Sequence, residues 1–95
     1  MNVKLIRMWS GEDVVADVVK ENEDTIVFIN PIVAVPTGQG QMGFVPWSPL
    51  LKEKGSEIEI PRNYVVYMAE AQDTTVEGYK NMFSTIQTPS KSLIL

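Results

Sequence analysis

The sequence contains no cysteine and no histidine among its 95 residues. The lack of cysteine excludes disulfide bonds, thiolate metal sites and cysteine nucleophiles. The lack of histidine removes the commonest metal ligand and the usual general base near neutral pH. We therefore expect no catalytic residues, no bound metal and no cofactor, and a binding or assembly role rather than an enzymatic one.

Positive charge is also scarce, with 8 basic against 12 acidic residues and a formal net charge of −4. Sequence-blind nucleic-acid binding needs a basic surface, so we do not expect it, although a local site that reads unpaired bases stays open. No apolar run approaches the roughly 20 residues that span a bilayer. The first residues lack the pattern of a secretory signal, which favours a soluble cytoplasmic protein.

Two pairs of carboxylates, Asp13 with Asp17 and Glu57 with Glu59, have spacings that place each pair on one face of a strand. Such pairs can hold hard metal ions or perform acid–base catalysis. Acids that alternate along a solvent-exposed face are far more common. We therefore interpret both pairs as surface residues, with no small-molecule substrate implied.

Short strands separated by turns are predicted up to about residue 71. Val14–Val19 alternates between two faces, and Thr25–Ile29 is rich in β-branched residues. Asn30-Pro31 interrupts the next run, because proline cannot donate a ladder hydrogen bond. The glycine-rich Thr37–Gly43 predicts a flexible hairpin loop, and Phe44–Leu51 predicts a bent edge strand.

A helix is predicted near the end of the chain. Thr74 and Glu77 have capping-box spacing, and an apolar stripe follows at helical intervals until a stop before Thr88-Pro89. The stripe consists of Val76, Tyr79, Phe83 and Ile86. The sequence therefore predicts a β-domain over residues 1–72 and a helix with a tail over residues 73–95. The tail ends in Leu93-Ile94-Leu95, which is either frayed or docked on a neighbouring surface.

About five short strands and five prolines between Pro31 and Pro61 predict a mainly all-β fold. The architecture we expect is a small, strongly bent, five-stranded antiparallel barrel of the SH3-like, OB or Sm type, followed by the α-helix. Any open edge of such a sheet must be paired or covered. Head-to-tail pairing between identical chains would cover the edges and close a ring.

Two segments resemble the motifs of the Sm-like family, which includes RNA chaperones. The first motif begins with a glycine after strand one, followed by a small and an apolar position. An acidic turn comes next, and then an apolar strand that ends in a polar residue. The matching residues here are Gly11, Ala16, Val18, Asp24 and Phe28-Ile29-Asn30. The second, Ile60–Tyr67, has an apolar strand end, a basic residue, a tight turn and a β-branched strand. With its C-terminal helix, the chain looks more like the divergent Sm-like proteins of phages than like RNA-splicing Sm subunits.

This resemblance implies a homo-oligomeric ring of about five to seven copies that binds single-stranded RNA near its pore, in the host cytoplasm if the chain is phage-encoded. By motif position, Phe28 would stack on a base, while Asn30 and Arg62 would hold its edge and phosphate, with Asn63 beside them. The residues themselves leave alternatives open. Phe28 also fits the core, Asn30 a turn, and Arg62 an intersubunit salt bridge.

Aromatic residues suggest further roles. Trp47 lies between two prolines and is expected to pack against the barrel or at a subunit interface, together with Tyr64 and Val66. Trp9 is expected in the core. Two alternatives to an RNA-binding ring are a purely structural or protein-interaction ring, and a lone SH3-like adaptor that uses Trp47 and Tyr64 as a peptide groove.

Overall fold

The computed structural model describes residues 1–53 and 55–84 of the chain. These residues form six strands, a short 3-10 turn and one helix: β1 (Val3–Met8), β2 (Asp13–Glu21), β3 (Thr25–Gly38), β4 (Gln41–Pro46), β5 (Ile58–Pro61), the turn Arg62–Tyr64, β6 (Val65–Glu70) and α1 (Asp73–Ser84). The predicted mainly-β fold with a helix after residue 72 is confirmed.

All strand pairs are antiparallel, and the sheet has the order β4-β3-β2-β1-β6. The long strand β3 changes partner along its length, since Thr25–Phe28 pairs with β5 and the part from Ile32 onward pairs with β4. The predicted closed, five-stranded barrel is therefore wrong in two respects. There are six strands, and β5 and β6 are joined by the 3-10 turn without pairing, so the hydrogen-bonded sheet stays open.

A bulge at Asn30 bends β3. Asn30 has a positive φ of 51°, a conformation that asparagine tolerates better than most residues. The register between β2 and β3 shifts here, so that the residues on either side of the bend change faces. Phe28 packs in one cluster of buried residues and Ile32 in another. The interruption predicted at Asn30-Pro31 is thus a bend within one strand.

The glycine-rich segment is a tight hairpin rather than a long loop. β3 extends to Gly38 and β4 starts at Gln41, so that only Gln39 and Gly40 lie between the strands. Gly38, Gln39 and Gly40 all have positive φ, which lets the chain reverse within this short connection. β4 ends at Pro46, and the residues from Trp47 to Leu51 lie outside the sheet, contrary to the predicted strand.

Two clusters of buried side chains lie on opposite faces of the sheet. The inner cluster comprises Ile6, Met8, Val14, Ala16, Val18, Ile26, Phe28 and Ile60. The outer cluster comprises Val3, Val15, Ile32 and Tyr79, with Leu5, Val76 and Phe83 packed against it. The helix therefore covers the outer face, as its predicted apolar stripe requires. Trp9 is 66% exposed, so its predicted core role is wrong.

The helix begins at Asp73, one residue before the capping-box residue Thr74. Thr74 consequently lies inside the first turn instead of preceding it, and the backbone N–H of Val76 donates to the Gln72 carbonyl at 2.9 Å. The predicted helical position of Ile86 and the predicted fates of the tail lie outside the described residues.

Candidate interaction surface

Phe28, the residue expected to stack on a base, lies in the inner core. Its side chain has 0% exposure, and its ring centroid lies 5.9 Å from that of Trp47. The bulged strand turns this side chain inward, where it packs among aliphatic residues of four other strands. In this structure the ring offers no face to a base, and a stacking role would require Phe28 to leave the core.

Asn30 holds the bend of β3, where it is half-buried. The Tyr79 hydroxyl, which reaches across from α1, donates to the carbonyl oxygens of Ile29 and Asn30 at 3.1 and 2.9 Å. Burial raises the pKa of Tyr79 above its ordinary value, so the phenol keeps its proton and remains a donor. The helix thus fixes the backbone at the bend, which is the turn role that the sequence left open for Asn30.

Arg62 ties the 3-10 turn to the turn between β2 and β3. Its Nε donates to the Asn22 carbonyl at 2.6 Å, and its guanidinium lies 3.3 Å from a Glu21 carboxylate oxygen. Its backbone N–H donates to the Asp24 carbonyl at 2.8 Å. These bonds fix the position of the 3-10 turn that connects β5 to β6. Arg62 also lines a cleft of about 320 Å³ with Ile26, Val65 and Met68, and its neighbour Asn63 is exposed.

Trp47 is half-buried and packs against the inner cluster of the open sheet, where the sequence predicted packing against a barrel. Its backbone N–H donates to the Pro31 carbonyl at 3.0 Å, which fixes the chain after β4 to the bend in β3. Its second predicted role, at a subunit interface, stays a prediction. The indole also contacts the ring of Phe28, and the SH3-like peptide groove with Tyr64 stays a prediction.

Both strands at the ends of the sheet carry exposed apolar side chains. Phe44 and Val45 on β4, and Val66 and Tyr67 on β6, are between 40% and 48% exposed. Within residues 1–53 and 55–84, β4 pairs with β3 alone and β6 with β1 alone. Each strand therefore has one free backbone edge next to its apolar side chains. We call these two strands the β4 edge and the β6 edge.

An aromatic group extends the β6 edge. Tyr67 is the register partner of Arg7, and the Trp9 backbone N–H donates to the Tyr64 carbonyl at 2.9 Å, so that Trp9 and Tyr64 lie side by side. Arg7 is held by Asp13 through bonds of 2.5 and 3.0 Å. The hydrogen bond to Asp13 and its negative charge raise the pKa of Arg7. The sequence pattern does not indicate this group, because Trp9 follows a buried strand and a core position is predicted for it.

The carboxylates serve structural roles. Asp13 pairs with Arg7, Asp17 accepts the backbone N–H of Asn2 at 2.9 Å, and Glu59 accepts the hydroxyl of Thr25 at 2.7 Å. Among residues 1–53 and 55–84, no group of three or more acidic side chains could hold a metal ion. In the same part of the chain, α1 is too short and too polar to cross a membrane.

Comparison with known proteins adds no family to this description. The chain matches no protein-family model, and no curated protein matches it.

Proposed function

We propose that the chain is an Sm-like assembly module that builds a homo-oligomeric ring by pairing its β4 edge with the β6 edge of the next copy. The observation that carries this proposal is the pair of free strand edges at opposite ends of one open sheet, each beside exposed apolar side chains. The partner is a second copy of the same chain.

The composition of the two edges supports self-pairing. Strands that must remain unpaired usually carry lysine, an internal proline or an inward-pointing charge. β4 has the sequence QMGFVP, with no charge and its only proline at the last position. β6 has the sequence VVYMAE, whose only charge is at its last residue. Neither edge is well protected, so pairing with another chain covers both.

The placement of the two edges supports a ring over a two-fold dimer. β4 and β6 are different surfaces, so their contact is head-to-tail, and repetition of such a contact closes a ring when the rotation between copies permits. The order of the motif-bearing elements also fits the Sm-like resemblance. The acidic turn precedes β3, and the tight turn Arg62–Tyr64 leads into the final strand.

The packing favours a structural or protein-interaction ring over one that binds RNA. Phe28 is buried, and Arg62 is engaged by Glu21 and Asn22. The net charge of −4 gives no general attraction for phosphates. RNA binding at Arg62 and Asn63 would therefore need a local site that outweighs repulsion from the rest of the surface.

Light scattering on two edge variants tests the ring. The native protein should have a mass that is a multiple of 10.6 kDa, and a monomer would refute the proposal. Val45→Lys and Val66→Lys each place a charge on one edge, and both should lower the mass toward one chain. Leu50→Lys is the control, because Leu50 is 93% exposed and lies outside both edges. If all three variants keep the native mass, the edges do not form the interface.

Titration with short oligo-U and oligo-A at two salt concentrations tests the RNA alternative. We expect no binding at micromolar protein and low salt. Binding that weakens in Arg62→Ala would instead establish an RNA-binding ring and would overturn the preference for a structural one.

A further inference from the structure

The exposed apolar side chains of the two edges stand in opposite order along the chain. On the β4 edge an aromatic residue precedes an aliphatic one, Phe44-Val45, and on the β6 edge an aliphatic residue precedes an aromatic one, Val66-Tyr67. Antiparallel pairing of the edges places the two aromatic residues opposite each other and likewise the two valines, which are favourable cross-strand pairs. Parallel pairing with Phe44 beside Tyr67 would instead place Val66 opposite Gly43, which has no side chain to pack.

The faces of the sheet agree with a pairing of Phe44 and Tyr67. Phe44 is the register partner of Ala34, which lies two residues after Ile32 of the outer cluster and therefore on the outer face. Tyr67 is the register partner of Arg7, whose two neighbours in the chain both belong to the inner cluster. Both aromatic side chains are thus on the outer face, as side chains that meet across a continued sheet must be.

Antiparallel pairing brings the end of β4 to the start of β6 in the next copy. Two exposed prolines lie at the end of β4, since Pro46 is its last residue and Pro49 follows three residues later. Trp9 and Tyr64 lie at the start of β6 and are 66% and 38% exposed. Among residues 1–53 and 55–84, neither of these two rings contacts another ring, so their faces are open.

We propose that Pro46 and Pro49 of one copy pack against the rings of Trp9 and Tyr64 of the next copy. This inference rests on the ring proposed above and extends its interface beyond the two strand edges. Proline rings are rigid and apolar, and surfaces lined by aromatic side chains are a recurring docking site for proline-containing segments. Tryptophan and tyrosine are also among the residue types that contribute most binding energy to interfaces. The contact covers the two exposed rings that extend the β6 edge.

Fluorine NMR of protein labelled with 5-fluorotryptophan tests the contact, because the chain has only two tryptophans and Trp9→Phe assigns their signals. The Trp9 signal should shift little between light and heavy water in the native assembly, and strongly in the dissociated Val45→Lys variant. An assembled native protein whose Trp9 signal keeps the full solvent shift would overturn the contact and leave the paired edges in place. A native protein that is a monomer by light scattering would overturn both proposals.

Variants at the contact provide a second measurement. Trp9→Ala and Pro49→Ala should each raise the protein concentration needed for assembly by about tenfold. Val19→Ala is the control, because Val19 is 45% exposed on β2 and lies outside both edges, and it should assemble at the native concentration. Assembly of all three variants at the native concentration would contradict the proposal.

Introduced cysteines test the direction of pairing without background, because the native chain has none. Phe44→Cys combined with Tyr67→Cys should link copies on oxidation and give a ladder of masses on a non-reducing gel. Gln41→Cys combined with Tyr64→Cys should give no link, since antiparallel pairing places these residues at opposite ends of the contact, beyond the limit of about 7 Å between Cα atoms. A link in this second pair would show parallel pairing, which separates Trp9 from the prolines and overturns the proposal.

Discussion

Removal of one hydroxyl group, in Tyr79→Phe, should destabilise the whole domain, because this group joins the helix to the bend of β3. Tyr79 is 1% exposed, and its hydroxyl donates to two backbone carbonyl oxygens at 3.1 and 2.9 Å. Phenylalanine keeps the ring and its contact with Phe83, whose centroid lies 4.7 Å away. The substitution therefore removes the hydrogen bonds and little else.

The expected magnitude follows from the groups that lose their donor. A buried polar group left without its partner costs about 1–3 kcal/mol. For a domain of this size, each kcal/mol lowers Tm by about 4–8 °C, so the fall should be about 5–20 °C. The strained φ of 51° at Asn30 adds to the effect, since Tyr79 helps to hold this conformation.

Urea unfolding followed by circular dichroism measures the change. The protein concentration must be the same for each variant, because assembly raises apparent stability. Tyr67→Phe is the control, since Tyr67 is 45% exposed. Both variants are compared in the Val45→Lys background so that assembly does not contribute, and there Tyr67→Phe should change the free energy of unfolding by less than about 0.5 kcal/mol. A loss below about 0.5 kcal/mol in Tyr79→Phe would refute the idea that this hydroxyl fixes the bend.

Two further predictions concern pH and the backbone. Because burial raises the pKa of Tyr79, the hydroxyl contributes to stability fully below about pH 10, the unfolded pKa, and this contribution is lost as pH rises through the folded pKa. The difference in unfolding free energy between the native protein and Tyr79→Phe should be constant from pH 7 to 9. Between pH 10 and 11 this difference should shrink by about 1 kcal/mol. A difference that does not change over that range would contradict the burial of the hydroxyl. Gly11→Ala should destabilise by about 1–2 kcal/mol, since Gly11 has a φ of 100° in the turn between β1 and β2. Gly78→Ala in α1 should instead stabilise the protein by about 0.5–1 kcal/mol, because the added methyl group meets open space and alanine favours helix. Thermal melts in which Gly11→Ala and Gly78→Ala shift Tm in the same direction would refute this reasoning.

Parts of the fold could be predicted because they depend on local chemistry. The break after strand one follows from the access of Gly11 to positive φ, and Gly11 does have a φ of 100°. The helix follows from a 3.6-residue apolar repeat, and Val76, Tyr79 and Phe83 all pack against the outer face of the sheet. In both cases a few neighbouring residues carry the whole signal.

The candidate site was less predictable, because exposure depends on partners distant in sequence. Phe28 and Trp9 are both aromatic residues of a strand or its end, and no local pattern tells them apart. Phe28 is buried because the bend in β3 and the indole of Trp47 close over it. Trp9 is exposed because no element of the described chain covers that end of β1.

The sequence by itself determined the β-rich class, the position of the helix, and the exclusion of cysteine and histidine chemistry. Each of these depends on composition or on short periodicity. Only the tertiary structure decided that β3 serves two partner strands, that β5 and β6 meet without pairing, and that β4 and β6 are left as edges. Strand pairing joins residues far apart in the chain, and a single bulge at Asn30 changes which face each later residue presents. The surface available for assembly is therefore a property of the folded sheet.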